Sequence, residues 1–148
     1  MNKTMKSLNS YFLEHGLLEK ANLLAHCERH LVKLTECTYL PHVVVLHYMD
    51  QCQYDKKWTN FSESCRGTVV DLKNKKLLAI PFFKFRNLGE IPGPSYEQCI
   101  KMGEFECSEK MDGSLGVTFF DNETDKLYVV TKGSPMSEHS FWATEWAR

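Results

Sequence analysis

The segment SEKMDGSLGVTFF, residues 108–120, places a lysine, an aspartate and a glycine before an apolar run. Asp112 followed by Gly113 is typical of a tight turn, because this pair tolerates the positive φ angles of hairpin connections. A turn does not explain Lys110. An ordinary lysine amine, with a pKa of about 10.4, is protonated at neutral pH and cannot attack, whereas neighbouring cations and partial desolvation lower that pKa. Lys110 is therefore a candidate nucleophile if other cations surround it.

Three further cationic residues occur at the ends of segments with strand-like composition. They are Arg66 in SCRGTVVD, Lys84 in PFFKFRN and Lys132 in VVTKGS. If these strands share one sheet, the four cations converge on one surface. Such a cluster suits phosphates, because arginine offers a planar fork of donors and lysine a compact charge. The same charges could both activate Lys110 and hold a triphosphate.

The order of predicted elements is helix first and then mostly strand. Residues 1–30 have apolar positions at helical spacing, with a break at Gly16. Runs rich in apolar and β-branched residues follow at 43–48, 67–72, 76–80, 105–110, 115–120 and 127–131. Several runs are joined by short links such as LKNKK and DNETDK, which favour antiparallel pairing. The sequence therefore predicts an α+β fold with an antiparallel sheet.

A last helix is predicted over residues 136–148. Ser134 provides a hydroxyl for the N-cap, and Pro135 suits the first helical position. Trp142 and Trp146 give this helix an apolar stripe. Tryptophan rings could stack on RNA bases, but packing into the core is the favoured interpretation.

Composition limits the function classes without selecting one. The 148 residues carry a formal net charge of −1, so any basic surface must be local. No apolar run approaches the roughly 20 residues of a membrane-spanning helix, and the start MNKTMKSLNSYF lacks the apolar segment of a signal peptide. We therefore expect no membrane association and an intracellular, cytoplasmic location. The six cysteines form no C-x-x-C pair, which argues for free thiols.

Metal ligands cannot be assigned from the sequence. His26 and His30 are four residues apart on a predicted helix, a spacing that can bind a metal ion. No third ligand accompanies them. We interpret the two histidines as structural.

Four motifs together resemble a known family. SCRGTVVD, PFFKFRNLGE, KMDGSLG and VVTKGSPMSE, in this order and at these separations, resemble the front half of an RNA ligase of the phage T4 RNA ligase 1 family. That family belongs to the covalent nucleotidyltransferases, with DNA ligases and mRNA capping enzymes. The resemblance implies that residues 31–148 are the N-terminal part of an antiparallel nucleotidyltransferase (adenylation) domain. The helical N-terminal segment, 1–30, is predicted from its apolar spacing alone and contains none of these motifs.

The resemblance also implies an activity and roles for individual residues. The chain would be an ATP-dependent RNA ligase, using Mg²⁺, that joins RNA 5′-phosphate and 3′-hydroxyl ends, as in RNA repair. Lys110 would be the catalytic nucleophile that forms a lysyl-AMP intermediate. Arg66, Lys84 and Lys132 would bind the nucleotide or its phosphates. Gly113 would let the backbone come close to the nucleotide, since it has no Cβ.

The sequence departs from the family pattern in two respects. Arg86 stands where the family has an aromatic residue, and the downstream motifs of the family do not follow before residue 148. The chain as given is therefore expected to be a fragment of the domain. Two alternatives stay open: a DNA ligase or capping-type nucleotidyltransferase, and a non-catalytic RNA-binding relic.

Overall fold

The structure, a computed structural model, describes residues 3–90, 95–104, 106 and 108–148, with side chains from residue 7 onward. It is an α+β protein with antiparallel sheets, as the sequence predicts. The chain divides into two compact units. The larger unit comprises Met1–Phe83 and Ser114–Arg148, and the smaller unit comprises Lys84–Gly113. Among the described residues, no helix combines the length and apolar character needed to cross a bilayer.

The larger unit begins with the two predicted helices. Helix α1 spans Lys3–Glu14 and helix α2 spans Lys20–Arg29. Between them Gly16 has a φ of +61°, a conformation that glycine adopts without steric cost, so the predicted break is confirmed. One face of each helix is buried because leucine, phenylalanine and cysteine side chains recur at helical spacing on it. These buried residues include Leu8, Phe12, Leu23 and Cys27.

A four-stranded antiparallel sheet follows, with the strands in the order β1-β2-β3-β4. The strands are β1 Val32–Glu36, β2 Val43–Tyr48, β3 Arg66–Asp71 and β4 Lys76–Ala79. Two short helices, α3 Gln51–Tyr54 and α4 Asn60–Ser64, connect β2 to β3. The sequence predicts β2, β3 and β4. The edge strand β1, VKLTE, was not predicted, since only one of its five residues is buried.

The last two strands form a second sheet of their own. Strand β5, Gly116–Asp121, pairs with β6, Lys126–Thr131, in an antiparallel hairpin. Both strands are predicted, but the expectation of one shared sheet is wrong. The two sheets are held together by packing of apolar side chains, because Val117, Phe119 and Val130 lie against one face of the first sheet.

The first sheet is buried on both faces, which accounts for the continuous apolar run VVVL in β2. Side chains alternate between the faces along a strand. Val44, Leu46 and Val70 face the helices. Val43, Val45 and Val69 face the second sheet.

Helix α6 spans Glu138–Ala147 and begins two residues later than predicted. Its N-cap is Ser137, whose hydroxyl accepts a hydrogen bond from Ser140 N at 3.1 Å, so Ser134 is not the cap. Instead, the Ser134 hydroxyl accepts from Met136 N at 2.9 Å in the turn that precedes the helix.

Helix α6 contacts β6 through hydroxyl groups rather than tryptophans. The Thr144 hydroxyl accepts from Val129 N at 2.8 Å, and the Ser140 hydroxyl accepts from Thr131 N at 3.1 Å. Trp142 and Trp146 are 67% and 81% exposed, so the expectation that they pack into the core is wrong. The face of α6 that carries Ser140 and Thr144 accepts hydrogen bonds from backbone N–H groups of β6. The tryptophans lie on another part of the helix and are exposed to solvent.

In its described residues, the smaller unit contains the helix α5, which spans Tyr96–Lys101. Ser95 and Gln98 form a capping box at its start, with hydrogen bonds of 3.2 and 2.8 Å. The predicted strand over 105–110 is wrong for its described residues, since 106 and 108–110 are exposed and outside any strand. Phe105 and Cys107 lie outside the described residues. In the described part of this unit no strand offers a partner, and a strand needs one to satisfy its backbone.

Candidate functional site

Arg66 occupies the first position of β3, at a bulge. The pairing of β3 with β2 shifts by one residue there: Leu46 pairs with Thr68, and His47 pairs with Arg66. Gly67 is therefore the extra residue of the bulge. A bulge bends its strand and redirects the neighbouring side chain, which is why bulges recur beside functional sites.

Gly67 lets the start of β3 approach the end of β6. Its φ is +104°, and a Cβ at this position would lie 3.2 Å from Val117 Cγ2 and 3.3 Å from Lys132 Cα. Only glycine fits this close approach without displacing a neighbour. The backbone beside Arg66 therefore lies against Lys132, so the structure brings these two predicted site residues together.

Lys132 is partly buried above an aromatic ring. Its Nζ lies 3.9 Å from the centroid of the Tyr48 ring, a cation–π arrangement. Tyr48 is buried, and its ring meets Trp58 edge-on at 4.9 Å between centroids. Neither aromatic residue was predicted from the sequence to belong to the site. The position of Tyr48 could have been inferred from the run VVVLHY, because antiparallel pairing of this strand with β3 brings its last residues beside Arg66.

His47, opposite Arg66, indicates a positive field at this position. Burial lowers its pKa below the ordinary 6.5, and the charges of Lys33 and Lys132 lower it further, whereas Asp50 acts in the opposite direction. His47 is therefore neutral at pH 7. Burial disfavours a charge of either sign, but the contributions of Lys33 and Lys132 show that positive charge also acts at this position, as the phosphate binding expected from the sequence requires.

The other predicted site residues belong to the smaller unit. Lys84 is partly buried in a segment without regular secondary structure, and Lys110 is exposed and outside any strand, so neither lies at a strand end. Gly113 has a φ of +142° with nothing within 4 Å of a Cβ position. Asp112 Oδ1 accepts from Gly113 N at 3.1 Å, which is consistent with a turn-forming role. The convergence of all four cations stays a prediction, since Arg66 and Lys132 lie in one unit and Lys84 and Lys110 in the other.

A group of potential metal ligands lies at the opposite end of the strands. In the described part of the chain, His42, Asp71 and Asp121 bring one ligand atom each within 4.8 Å of one another. Asp71 ends β3 and Arg66 begins it, so about 17 Å of strand separates them. Asp121 likewise lies at the turn end of β5. This group cannot coordinate the phosphates of a nucleotide held at Arg66 and Lys132.

Hydrogen bonds inside the group explain its conformation without a metal ion. Asp121 Oδ1 lies 2.8 Å from His42 Nε2, and Asp121 Oδ2 accepts from Thr124 N at 2.9 Å. Asp71 accepts from Asn74 N at 2.8 Å in the corresponding turn between β3 and β4. The two buried carboxylates therefore fix the two hairpin turns.

The structure supports a structural interpretation of His26 and His30. His26 is buried, its Nε2 lies 2.8 Å from the Tyr11 hydroxyl, and burial together with His30 and Arg29 lowers its pKa to about 4. Neither histidine belongs to a ligand group among the described residues. Five cysteines, Cys27, Cys37, Cys52, Cys65 and Cys99, are free thiols as predicted, and Cys107 lies outside the described residues.

Replacement of Gly67 by alanine is expected to lower the free energy of unfolding by about 1–3 kcal/mol, because the new Cβ meets the Lys132 backbone at a strained φ. Urea unfolding followed by tryptophan fluorescence measures the change. Gly133→Ala is the matched control, since no atom lies within 4 Å of its Cβ position; we expect a change within about 0.5 kcal/mol. Equal effects of the two substitutions would contradict the close approach at Gly67.

Comparison with protein-family models gives a match to the model of the T4 RNA ligase 1 type, described as RNA ligase, over residues 64–148. This segment is more than half of the chain. It contains all the predicted site residues, namely Arg66, Lys84, Lys110, Gly113 and Lys132. Comparison with curated proteins gives no match.

Proposed function

Since the chain belongs to the T4 RNA ligase 1-like family of RNA ligases, we propose that it is an ATP-dependent RNA ligase acting through lysyl-AMP. The observation that carries the proposal is the family match over 64–148, which includes KMDGSLG and the three other motifs. The substrates are ATP and RNA ends bearing a 5′-phosphate and a 3′-hydroxyl, and the role is RNA repair. An intracellular location and an adenylation domain starting near residue 31 belong to the same proposal.

Lys110 is the proposed nucleophile. Its neutral amine attacks the α-phosphate of ATP, a P–N bond forms, pyrophosphate leaves and the nitrogen loses a proton. The AMP then passes to the RNA 5′-phosphate, which frees Lys110 and leaves a 5′–5′ pyrophosphate linkage. Attack by the 3′-hydroxyl forms the phosphodiester bond and releases AMP. The exposed position of Lys110 leaves its side chain accessible to a nucleotide.

Arg66, Lys84 and Lys132 are the proposed phosphate-binding residues. For Arg66 and Lys132, support comes from the close approach at Gly67 and from the charges of Lys33 and Lys132, which add to burial in lowering the pKa of His47. Gly113 supplies a backbone conformation that other residues rarely adopt, in open space where a nucleotide could approach.

Mg²⁺ is the metal ion that the family resemblance implies. When bound, it shields the triphosphate charge and orients the leaving pyrophosphate. The residues His42, Asp71 and Asp121 do not fit this role, because they lie at the far ends of β3 and β5 from Arg66 and Lys132. The proposal therefore assigns no Mg²⁺ ligand.

Labelling with nucleotides carrying α-³²P tests the proposed function. The protein is incubated with Mg²⁺ and either ATP or GTP, and covalent label is measured after denaturation. We expect label from ATP alone, released by acid because a phosphoramidate is acid-labile. Label from GTP alone would indicate capping chemistry instead. Salt-sensitive RNA binding without any label would indicate a non-catalytic relic.

A further inference from the structure

A cavity of about 390 Å³ lies in the N-terminal part of the larger unit, outside the matched segment 64–148. It is formed where the end of α2 meets the segment that connects α3 to α4. Its lining includes Arg29, His30, Asp55, Lys57, Trp58 and Thr59. The volume is within the range of about 300–1,000 Å³ that is usual for small-ligand sites, so it admits a single nucleotide but not a duplex.

The positive charge of the cavity comes from Arg29 and Lys57. Burial and the charge of Arg29 lower the pKa of His30, so His30 is neutral at pH 7 and shares a 3.1 Å hydrogen bond with Thr59. Lys57 Nζ lies 3.2 Å from Asp55 Oδ2, but both side chains are exposed. Since exposed ion pairs contribute little, Lys57 can exchange this carboxylate for a phosphate.

Trp58 connects the cavity to the candidate site. Its ring contacts Tyr48, and the Tyr48 ring lies beneath Lys132. The buried Tyr48 ring therefore packs against both Trp58 at the cavity and Lys132 at the candidate site. Aromatic rings next to cations are the usual means of binding single-stranded RNA without sequence preference, because every base has a face that can stack.

We propose that this cavity binds one nucleotide of the single-stranded RNA substrate, with a phosphate at Arg29 and Lys57 and a base against Trp58. The inference rests on the proposed function for the identity of its ligand. It adds an RNA-binding site formed by residues between 29 and 59, which the family match does not include.

Fluorescence anisotropy with a 5′-phosphorylated, 3′-labelled single-stranded RNA tests the site. Arg29→Gln with Lys57→Gln is expected to weaken binding about tenfold and to flatten the salt dependence by about 0.7 for each RNA phosphate that the protein no longer neutralises. Lys20→Gln with Lys56→Gln removes the same charge from residues that do not line the cavity, and we expect less than about a twofold change. Equal reductions in affinity in the two double variants, or none in either, would overturn the proposal.

Photo-crosslinking with RNA containing 4-thiouridine locates the bound base. We expect the crosslinked peptide to contain Trp58. Crosslinks confined to the exposed Trp142 or Trp146 would overturn the assignment. Displacement of the RNA by an equal concentration of AMP would also overturn it, since the cavity would then be a site for free mononucleotide.

These assays contain no ATP, so their outcome does not depend on covalent chemistry at Lys110. If the labelling experiment fails and the Arg29 and Lys57 variant still weakens RNA binding selectively, the proposed ligase activity is wrong and the cavity assignment stands. If labelling succeeds and the two double variants bind RNA equally, the cavity assignment alone is wrong.

Discussion

The Lys110→Ala variant is expected to transfer AMP from ATP at least about 10³-fold more slowly than the parent, because the amine that forms the P–N bond is absent. Its fold is expected to be unchanged, since Lys110 is exposed and outside any strand. The rate of covalent labelling by α-³²P-ATP measures the first effect, and the urea midpoint measures the second.

Lys101→Ala is the matched control for this prediction. Lys101 is an exposed lysine at the end of α5, in the same unit as Lys110, and it matches none of the family motifs. We expect its labelling rate to stay within about twofold of the parent. Labelling that persists in the Lys110→Ala variant would show that another residue is the nucleophile.

The Lys132→Ala variant is expected to slow AMP transfer about 10²-fold, because the cation beside Arg66 no longer stabilises the charge that develops on the phosphates. Removal of the cation from the Tyr48 ring is expected to lower the free energy of unfolding by only about 1 kcal/mol. A large kinetic effect with a small effect on stability distinguishes phosphate binding from a structural role.

Lys126→Ala provides the comparison on the same strand. Lys126 begins β6 at the hairpin end, whereas Lys132 follows the strand at its other end, so their environments differ although their charges are equal. We expect Lys126→Ala to leave the rate within about twofold. A similar decrease in both variants would mean that net charge, rather than the position of Lys132, controls the rate.

Local patterns in the sequence were sufficient to predict most elements of the fold. The runs that became β2, β3, β4, β5 and β6 are apolar and β-branched and are bounded by turn residues. The division into two sheets was not predictable in this way, because hairpin patterns specify pairing between neighbouring strands but not which face packs on which. The spacing of Trp142 and Trp146 also led to a wrong prediction, namely that these side chains are buried. In the structure the hydroxyl groups of Ser140 and Thr144 make the contacts of α6 with β6.

The sequence was sufficient to identify candidate residues for the site, but not their positions relative to one another. Arg66 and Lys132 were identified from motifs, and in the structure Gly67, the neighbour of Arg66, lies against the Lys132 backbone. Gly67 and Tyr48 were missed, because their roles depend on a bulge and on an interaction between residues far apart in sequence. Lys84 and Lys110 follow from the motifs alone, and their positions relative to Arg66 and Lys132 stay predictions.

Peptide mapping of the AMP adduct tests the assignment of Lys110 most directly. The protein is incubated with ATP and Mg²⁺, kept at neutral to alkaline pH to preserve the P–N bond, digested and examined by mass spectrometry. We predict a single AMP on the peptide that contains Lys110. AMP on any other residue, or no adduct on the parent chain, would contradict the proposal that this chain carries the nucleophile of an RNA ligase.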